Sequence, residues 1–413
     1  MTNTPASSLL PTPQMGEEVA WVRSHLGHLA AEELPSIVAS PAFRGGQSAA
    51  DAALSSFDVA GYAGARNEVW PEHRRAASRL SPYIRHNLLP LPRVWARVSG
   101  GPSRDVAKFR DELLWQEYAR HLYARLGRHL AQPLRHLPPQ HSNAGSFPWD
   151  RRMSCVDLAM TELEQDGWMV NQTRMWLASQ WAVRAGWEWR SGEDVFFTHL
   201  LDGSRAANRL GWQWSVGTGT GRPYGFSRHQ VSKRAPGLCR GCPLSHACPI
   251  EAWPDPDPGP AVERHPGLRR DDDPGRTAGP SEPEVMAPPE AVWLTAESLG
   301  AADPASAAHP ELPAVFVFDG PLLRRLRLSG KRLVFLAETL AETAARRHLE
   351  VHLGDPRDVL AGRKVAVTYA PVPGYAERAA AIAPAVVHPY PWLTRPGRGP
   401  LASFTAWRKG IGV

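Results

Sequence analysis

Residues 153–214 read MSCVDLAMTELEQDGWMVNQTRMWLASQWAVRAGWEWRSGEDVFFTHLLDGSRAANRLGWQW, and this stretch decides the fold. Its seven tryptophans recur at spacings typical of amphipathic helices, and they are interleaved with Arg174, Asp202 and Asn208. A single tryptophan usually fills a core. Seven in one stretch, beside charged and amide side chains, are hard to explain by packing alone.

Composition limits the class of protein. The chain has 413 residues, of which 43% are apolar, and is long enough for two or three domains. It contains no run of 18 apolar residues, and its first residues lack the basic start and apolar core of a secretory signal, so we expect a cytoplasmic protein outside the membrane. The net charge of +6 is carried mostly by arginine, which is compatible with a nucleic-acid partner and equally with a biased base composition.

The pattern along the chain predicts a fold that is mainly α, with a smaller α/β domain last. Residues 1–16 are expected to be disordered, and residues 17–253 to form a helical domain. Residues 254–289 are rich in Pro, Gly and charge, as in a disordered linker. Residues 290–413 alternate short apolar runs with helical patterns, which predicts a small parallel, Rossmann-like sheet.

Four cysteines form a second pattern. Cys239, Cys242 and Cys248 are closely spaced, Pro249 follows the last of them, and Cys155 lies upstream. Structural disulfides are not expected in a reducing compartment. A final Cys-Pro is familiar in iron–sulfur ligation, but four thiolates suit tetrahedral zinc as well. The spacing leaves both metals open, with isolated buried thiols as a third reading.

Two segments carry a resemblance to a known family. GWMVNQTRMWLAS (167–179) and LLDGSRAANRLGWQWSVGTGTGRPY (200–224) resemble the flavin-binding core of the photolyases and cryptochromes. PAVFVFDG, RLVFLAETL, VHLGDP and FTAWRK resemble, in the same order, the α/β domain that photolyases carry at their N-terminus. The resemblance therefore implies an all-helical FAD-binding domain first and an α/β antenna-like domain last, in exchanged order, as after a circular permutation.

The resemblance also implies the cofactor and its contacts. SRLSPY (78–83) resembles the loop that binds the flavin pyrophosphate, and the Arg174–Asp202 pair matches an ion pair beside the isoalloxazine. Trp212 and Trp189 match the first two members of an electron-transfer chain. Its surface end is left open among Trp149, Trp181 and Trp187, with His136 near the usual place. Contacts to FAD are implied for Tyr62, Arg66, Ser78, Arg79, Leu80, Ser81, Ser204 and Asn208, of which Asn208 matches the residue facing flavin N5 and Ser204 replaces the usual Asp.

A lesion-binding pocket is implied in the same way. FRDELLWQEYARHL resembles a photolyase helix whose Glu and Trp contact the pyrimidine dimer, and its amphipathic spacing places them on one face. Gln172 replaces a basic residue often found at its position. The implied substrate-binding residues are Glu112, Trp115, Asn171, Met175 and Trp214.

YGFSRHQVSKRAPGLCRGC with its later CPI resembles the prokaryotic iron–sulfur photolyases, with a shorter loop between Cys242 and Cys248. This favours one [4Fe-4S] cluster on Cys155, Cys239, Cys242 and Cys248, with zinc as the alternative. The implied activity is that of a deoxyribodipyrimidine photolyase, a light-dependent carbon–carbon lyase that acts on DNA containing cyclobutane dimers. The alternatives are a cryptochrome-like blue-light photoreceptor, a (6-4) photolyase and a non-photochemical nucleic-acid-binding module. An antenna chromophore is left unidentified, and no obligate protein partner is expected.

Overall fold

The computed structural model describes residues 7–138, 147–254 and 259–411. Contacts within the chain divide it into two units, and each is assembled from three separate stretches. The α/β unit comprises Met1–Phe57, Leu80–Arg97 and Asp273–Gly397, and the helical unit comprises Asp58–Arg79, Val98–Asp272 and Arg398–Val413. The predicted fold class, mainly α with a smaller α/β part, is confirmed. The contact-based units differ from the predicted domains, which were consecutive along the chain.

Helices account for most of the regular structure. The described α-helices are α1 (Glu18–His25), α2 (Gln47–Ser56), α3 (Tyr62–Ala65), α4 (Ser81–Arg85), α5 (Leu91–Arg97), α6 (Ser103–Leu126), α7 (Ser154–Thr161), α8 (Asn171–Ala178), α9 (Trp189–His199), α10 (Ala207–Ser215), α11 (Arg228–Arg234), α12 (Pro274–Ala278), α13 (Pro304–Ala308), α14 (Gly320–Leu326), α15 (Gly330–Ala344), α16 (Pro356–Val359), α17 (Tyr375–Ile382) and α18 (Phe404–Lys409).

The α/β unit is organised by one seven-stranded sheet. Its strands are β1 (Ser8–Leu10), β2 (Glu284–Val285), β3 (Ala291–Leu294), β4 (Ala314–Asp319), β5 (Leu349–Gly354), β6 (Val365–Thr368) and β7 (Val386–His388). They lie in the order β1-β5-β4-β3-β6-β7-β2, with five parallel strands between two antiparallel edge strands. The inner strands β3, β4 and β6 are almost wholly buried, which explains their continuous apolar runs.

Two predictions of disorder are wrong. Ser8–Leu10 pair with Val351–Leu353 as an edge strand, within a segment for which disorder was predicted. The predicted linker contains α12 and β2. Its Asp271 also accepts a hydrogen bond from Arg125 at 3.1 Å, with both side chains almost fully buried. These short segments have little apolar periodicity of their own and are ordered by partners far away in the sequence. Residues 1–6 and 255–258 of the two segments lie outside the described part of the chain.

The helical unit has a core of large aromatic side chains. Phe109, Trp176, Phe196, Trp212 and Phe226 are all less than 3% exposed. Two helices end in π-helical turns, Glu162–Asp166 after α7 and Ser179–Arg184 after α8, a geometry that often accompanies functional sites. No helix within the described residues has the length and apolar character that crossing a membrane requires.

Candidate functional site

A buried ion pair joins α8 to the loop before α10. Arg174 donates to both carboxylate oxygens of Asp202, at 3.1 and 2.7 Å, and its Nε donates to the carbonyl of Met169 at 3.1 Å. The Asp202 side chain is 7% exposed and that of Arg174 is 19% exposed. Such a pair loses much of its Coulomb energy to desolvation, so it is weak evidence for stability. It does fix the loop that carries Ser204 and leads into α10, the helix of Asn208.

Two buried donors on α10 have no acceptor within the described part of the chain. They are the Nδ2 of Asn208 and the Nε1 of Trp212, and both are shielded from solvent. Residues four apart share one helix face, so the two groups lie one turn from each other. A buried donor left unpaired costs about 1–3 kcal/mol. The pair of orphaned donors therefore fits a bound molecule with acceptor atoms, and a flavin ring supplies such atoms.

Ser204 has a different environment. Its hydroxyl accepts from the backbone N–H of Ala206 at 3.1 Å, so it serves the loop before α10. The backbone N–H of Asn208 in turn donates to the carbonyl of Ser204 at 3.0 Å. The short loop thus holds its own shape through Ser204, and the side chain of Asn208 is left for other contacts.

Tyr62 and Arg66 lie on and just after α3. Burial, with Glu112 nearby, raises the pKa of the Tyr62 phenol, so it stays neutral and able to donate. The Tyr62 ring meets Phe109 edge-on at 4.9 Å. Arg66 donates to Glu112 at 3.2 Å and to the carbonyl of Ala63 at 2.7 Å. A predicted cofactor contact, Arg66, and a predicted lesion contact, Glu112, are thereby paired with each other.

The predicted phosphate loop has an unusual backbone. Arg79 has a φ of 58° in the left-handed region, and its guanidinium lies 5.1 Å from the ring centre of Trp168. Ser78 is half-buried, Leu80 is fully buried and Ser81 begins α4. The division between the two units falls between Arg79 and Leu80, so the loop's halves belong to different units.

Of the predicted lesion contacts, Trp115 and Glu112 already have partners within the helical unit, and the other three are described by their exposure. Trp115 stacks on Phe404 of α18 with ring centres 4.0 Å apart and planes at 11°, so one indole face is covered. Glu112 pairs with Lys108 at 2.9 Å in addition to Arg66. Asn171 at the start of α8 is exposed and Met175 is half-buried, while Trp214 is 40% exposed.

The sequence reasoning missed several contributing residues. α18 belongs to the helical unit, where Trp407 donates to His121 Nδ1 at 3.0 Å, although the α/β domain was predicted to contain it. Glu193 of α9 is fully buried and accepts from Arg205 at 2.5 Å and from Arg209 at 3.2 Å. Burial raises the pKa of Glu193, and the two arginines oppose that shift. These contacts hold the segment on both sides of Asn208. The available signal was a carboxylate at helical spacing from the buried Trp189 and Phe197.

Aromatic side chains extend from Trp212 through the helical unit. Trp212 meets Phe196 at 5.0 Å, and a Cβ built on Gly192 would stand 2.3 Å from Trp212 and 3.0 Å from Trp181. The two indoles therefore approach each other across that glycine. Trp189 is buried, but no ring contact joins it to Trp212 among the described side chains. The sequence favoured Trp189 as the middle member of the chain, whereas Trp181 is the indole that flanks Gly192.

Beyond Trp181 the indoles continue. Trp181 contacts Trp149 at 4.5 Å and Trp187 at 5.1 Å, and Trp187 is partly exposed. His136 lies elsewhere, with its ring 3.1 Å from the Cβ position of Gly221. Trp149 and Trp187 thus belong to one cluster with Trp181.

Replacing Gly192 with Ala is expected to lower the free energy of unfolding by about 2 kcal/mol, because the new methyl group overlaps Trp212 in a packed core. Gly211, inside α10, is the matched control since a Cβ there meets no atom within 4 Å. Gly211→Ala should raise stability by up to about 1 kcal/mol, because alanine favours the helix. Urea unfolding of both variants measures the difference, and equal effects would contradict the close contact.

The four cysteines surround one cavity. Cys155 of α7, Cys239, Cys242 and Cys248 line it together with apolar side chains and Arg228. All four are free thiols. Burial, followed by the neighbouring thiols, raises the pKa of Cys155 to about 12. Within the described ranges, no set of three or more His, Cys, Asp or Glu is arranged to hold a metal ion.

Comparisons with known proteins match the part of the helical unit that contains Arg174, Asp202 and Asn208. Residues 109–234 match the FAD binding domain of DNA photolyase. The deoxyribodipyrimidine photo-lyase of Vibrio cholerae is 32% identical over 177 residues, covering 37% of this chain and 35% of the relative. That of a Synechococcus species is 30% identical over 203 residues, covering 42% and 39%. The crystal structure of a class III photolyase from Agrobacterium tumefaciens is 28% identical, covers 46% of this chain and 42% of that one, and has a TM-score of 0.41.

The chain spans little more than a third of the length of these curated relatives. The matched segment begins within α6 and ends with α11, so it contains the Arg174–Asp202 pair, Asn208 and Trp212. Residues 109–234 of this chain are thus similar to the FAD-binding domain of DNA photolyases.

Proposed function

We propose that the protein is a light-dependent DNA photolyase that splits cyclobutane pyrimidine dimers. The observation that carries the proposal is the pair of buried, unpartnered donors on Asn208 and Trp212 inside the matched FAD-binding segment. Reduced FAD, when bound, supplies under light the electron that opens the dimer. The curated relatives that match this segment are named deoxyribodipyrimidine photo-lyases.

The side chains of the helical unit would hold and orient the cofactor. The Asn208 amide is neutral and donates a hydrogen bond, so it adds no charge beside the ring. The Arg174–Asp202 pair keeps the surrounding loop in place, and burial excludes water from it. Tyr62, Arg66, Ser78 and Arg79 are the proposed contacts to the remainder of FAD in this unit, with Ser204 shaping the loop. Leu80 and Ser81, in the other unit, stay predictions.

The proposed lesion pocket uses aromatic faces and a few polar groups. Stacking on indoles offsets the cost of flipping a dimer out of the duplex, which is a few kcal/mol. Trp214 is exposed enough to provide such a face, and the uncovered face of Trp115 is a second. Glu112, Asn171 and Met175 complete the proposed pocket.

A photoreceptor without repair activity is the second candidate. It is favoured by the engagement of two pocket residues: Glu112 is paired with Arg66 and Lys108, and Phe404 covers one face of Trp115. For repair, the Glu112 carboxylate must exchange one of these partners for the dimer.

Illumination of the reduced protein with single-stranded and duplex DNA that contains cyclobutane dimers tests the proposal. We expect dimers to disappear in the light and to persist in the dark. Unchanged dimers while the flavin is fully reduced would overturn the repair proposal and favour the photoreceptor. Loss of (6-4) lesions alone would assign the other photolyase activity.

Electron supply from the surface is proposed to run through Trp212, with Trp189 or Trp181 as the second member. Contact across Gly192 supports Trp181, and Trp187 is then the exit toward an external thiol reductant. Bleaching of the flavin absorbance in blue light distinguishes the two routes. Trp181→Phe should slow bleaching more than Trp189→Phe if the indole that flanks Gly192 is used, and the reverse order would assign Trp189.

We also propose that Cys155, Cys239, Cys242 and Cys248 bind one [4Fe-4S] cluster. The four thiols line a single cavity with mostly apolar neighbours, and cysteine thiolates are the ligands of such clusters. Zinc bound by the same four thiolates is the alternative. Bound there, the cluster would hold α7 against the segment after α11.

A further inference from the structure

An exposed tryptophan is held in a fixed position beside the proposed lesion pocket. Trp253 is 52% exposed, and its indole lies against the backbone of Gly225. A Cβ built on Gly225 would stand 3.0 Å from Trp253 Cε2 and 3.1 Å from Nε1. The absence of a side chain at residue 225 is what allows the ring to approach this closely.

Arg184 braces the segment that carries this indole. Its guanidinium donates to the carbonyls of Phe226 at 2.6 Å and Pro249 at 3.3 Å, and also to that of Ala252. Burial lowers the pKa of Arg184. Three carbonyls from two separate stretches are thereby tied to one side chain, and Trp253 follows directly after the last of them. Fixing the backbone before Trp253 lowers the entropy that its side chain would lose on binding.

Tyr224, the residue before Gly225, contacts Trp214 of the proposed lesion pocket. Tyr224 adjoins Gly225, and its ring centre is 5.7 Å from that of Trp214. The Tyr224 hydroxyl accepts from Gln172 at 2.7 Å, which fixes the ring. Gly225, against which the Trp253 indole lies, thus directly follows Tyr224, whose ring contacts Trp214 of the proposed pocket.

One exposed arginine lies three residues before Gly225 in the chain. Arg222 forms no ion pair with any side chain in the described ranges. Two later arginines of α11 are already engaged, Arg228 with Glu251 at 2.6 Å and Arg234 with Glu68 at 3.1 Å. Stacking faces with an unpaired cation are the combination that single-stranded nucleic acid recognises.

We propose that Trp253 and Arg222 bind a nucleotide of the DNA strand that flanks the lesion, with the base stacked on the indole and the phosphate at the guanidinium. The inference rests on the proposed function because it takes DNA as the substrate. It adds a second contact, outside the lesion pocket, that recognises undamaged nucleotides. Affinity for a long strand should then exceed affinity for an isolated dimer.

Fluorescence anisotropy with single-stranded oligonucleotides, with and without one cyclobutane dimer, measures the contribution. Trp253→Ala should raise Kd about 10-fold for both strands, in line with the stacking energy of one base. Trp253→Phe keeps an aromatic face and should stay within about threefold of the unchanged protein. Phe147→Ala is the matched control, since Phe147 is an aromatic residue of the same unit that is 58% exposed.

A dinucleotide dimer without flanking nucleotides separates this inference from the proposed function. Its repair rate should be the same in Trp253→Ala as in the unchanged protein. No repair by the unchanged protein would overturn the proposed function, while the anisotropy of undamaged strands would still decide the inference. A Kd for Trp253→Ala within twofold of the unchanged protein would overturn the inference, as would an equal loss in Phe147→Ala.

Discussion

Replacing Asp202 with Asn should lower the free energy of unfolding by about 3 kcal/mol, because it leaves the Arg174 guanidinium largely buried without a counter-charge. It should also reduce the FAD content of the purified protein, since Asp202 lies in the short loop that leads into α10, the helix of Asn208. Urea unfolding measures the first effect, and absorbance of released flavin per chain measures the second.

An exposed pair of the same type is the control. Arg151 and Asp157 are 2.7 Å apart, as are Arg174 and Asp202, but their side chains are 45% and 51% exposed. Arg151 also keeps Glu164 as a partner at 2.6 Å. Asp157→Asn should therefore cost about 0.5 kcal/mol or less and leave the flavin content unchanged. A comparable loss of unfolding free energy in both variants would mean that burial of the Arg174–Asp202 pair does not determine its contribution to stability.

Replacing Cys155 with Ala should reduce the iron and acid-labile sulfide of the anaerobically purified protein from about four per chain to below about one. Cys155 lines the cavity from α7 and is one of the four proposed ligands, and a cluster with three thiolates would be less securely held. Because metal binding is coupled to folding, thermal stability should fall as well.

Met153→Leu is the companion variant, since Met153 lines the same cavity and the exchange keeps the side-chain volume. It should retain the iron. One zinc per chain without iron in the unchanged protein would contradict the cluster and assign a four-thiolate zinc site. Protein without either metal would return the four cysteines to buried thiols.

The central sheet could be predicted from the sequence because its inner strands are buried on both faces. AVFVFD of β4 and VAVT of β6 are apolar runs that no exposed segment would retain. The two edge strands were missed for the opposite reason. β1 and β2 have three and two residues, and their hydrogen-bond partners lie about 340 and 100 residues away.

The candidate site was predictable only as a set of residue types. The resemblance implied an ion pair between Arg174 and Asp202, and the two side chains lie 2.7 Å apart. The pairing of Arg66 with Glu112 and the stacking of Phe404 on Trp115 are contacts between distant segments, which a pattern of local spacing does not contain. The domain boundaries failed for the same reason, because composition describes stretches of chain while contacts assemble the units.

The stacking of Phe404 on Trp115 has a consequence for biosynthesis. A ribosome releases α6 long before α18, with nearly 280 residues between the two helices. During that interval Phe404 is not yet present to cover the Trp115 indole that the lesion pocket is proposed to use. The helical unit therefore gains this aromatic contact only after every other described helix has been translated. We expect the unit to complete its folding later than its individual helices form.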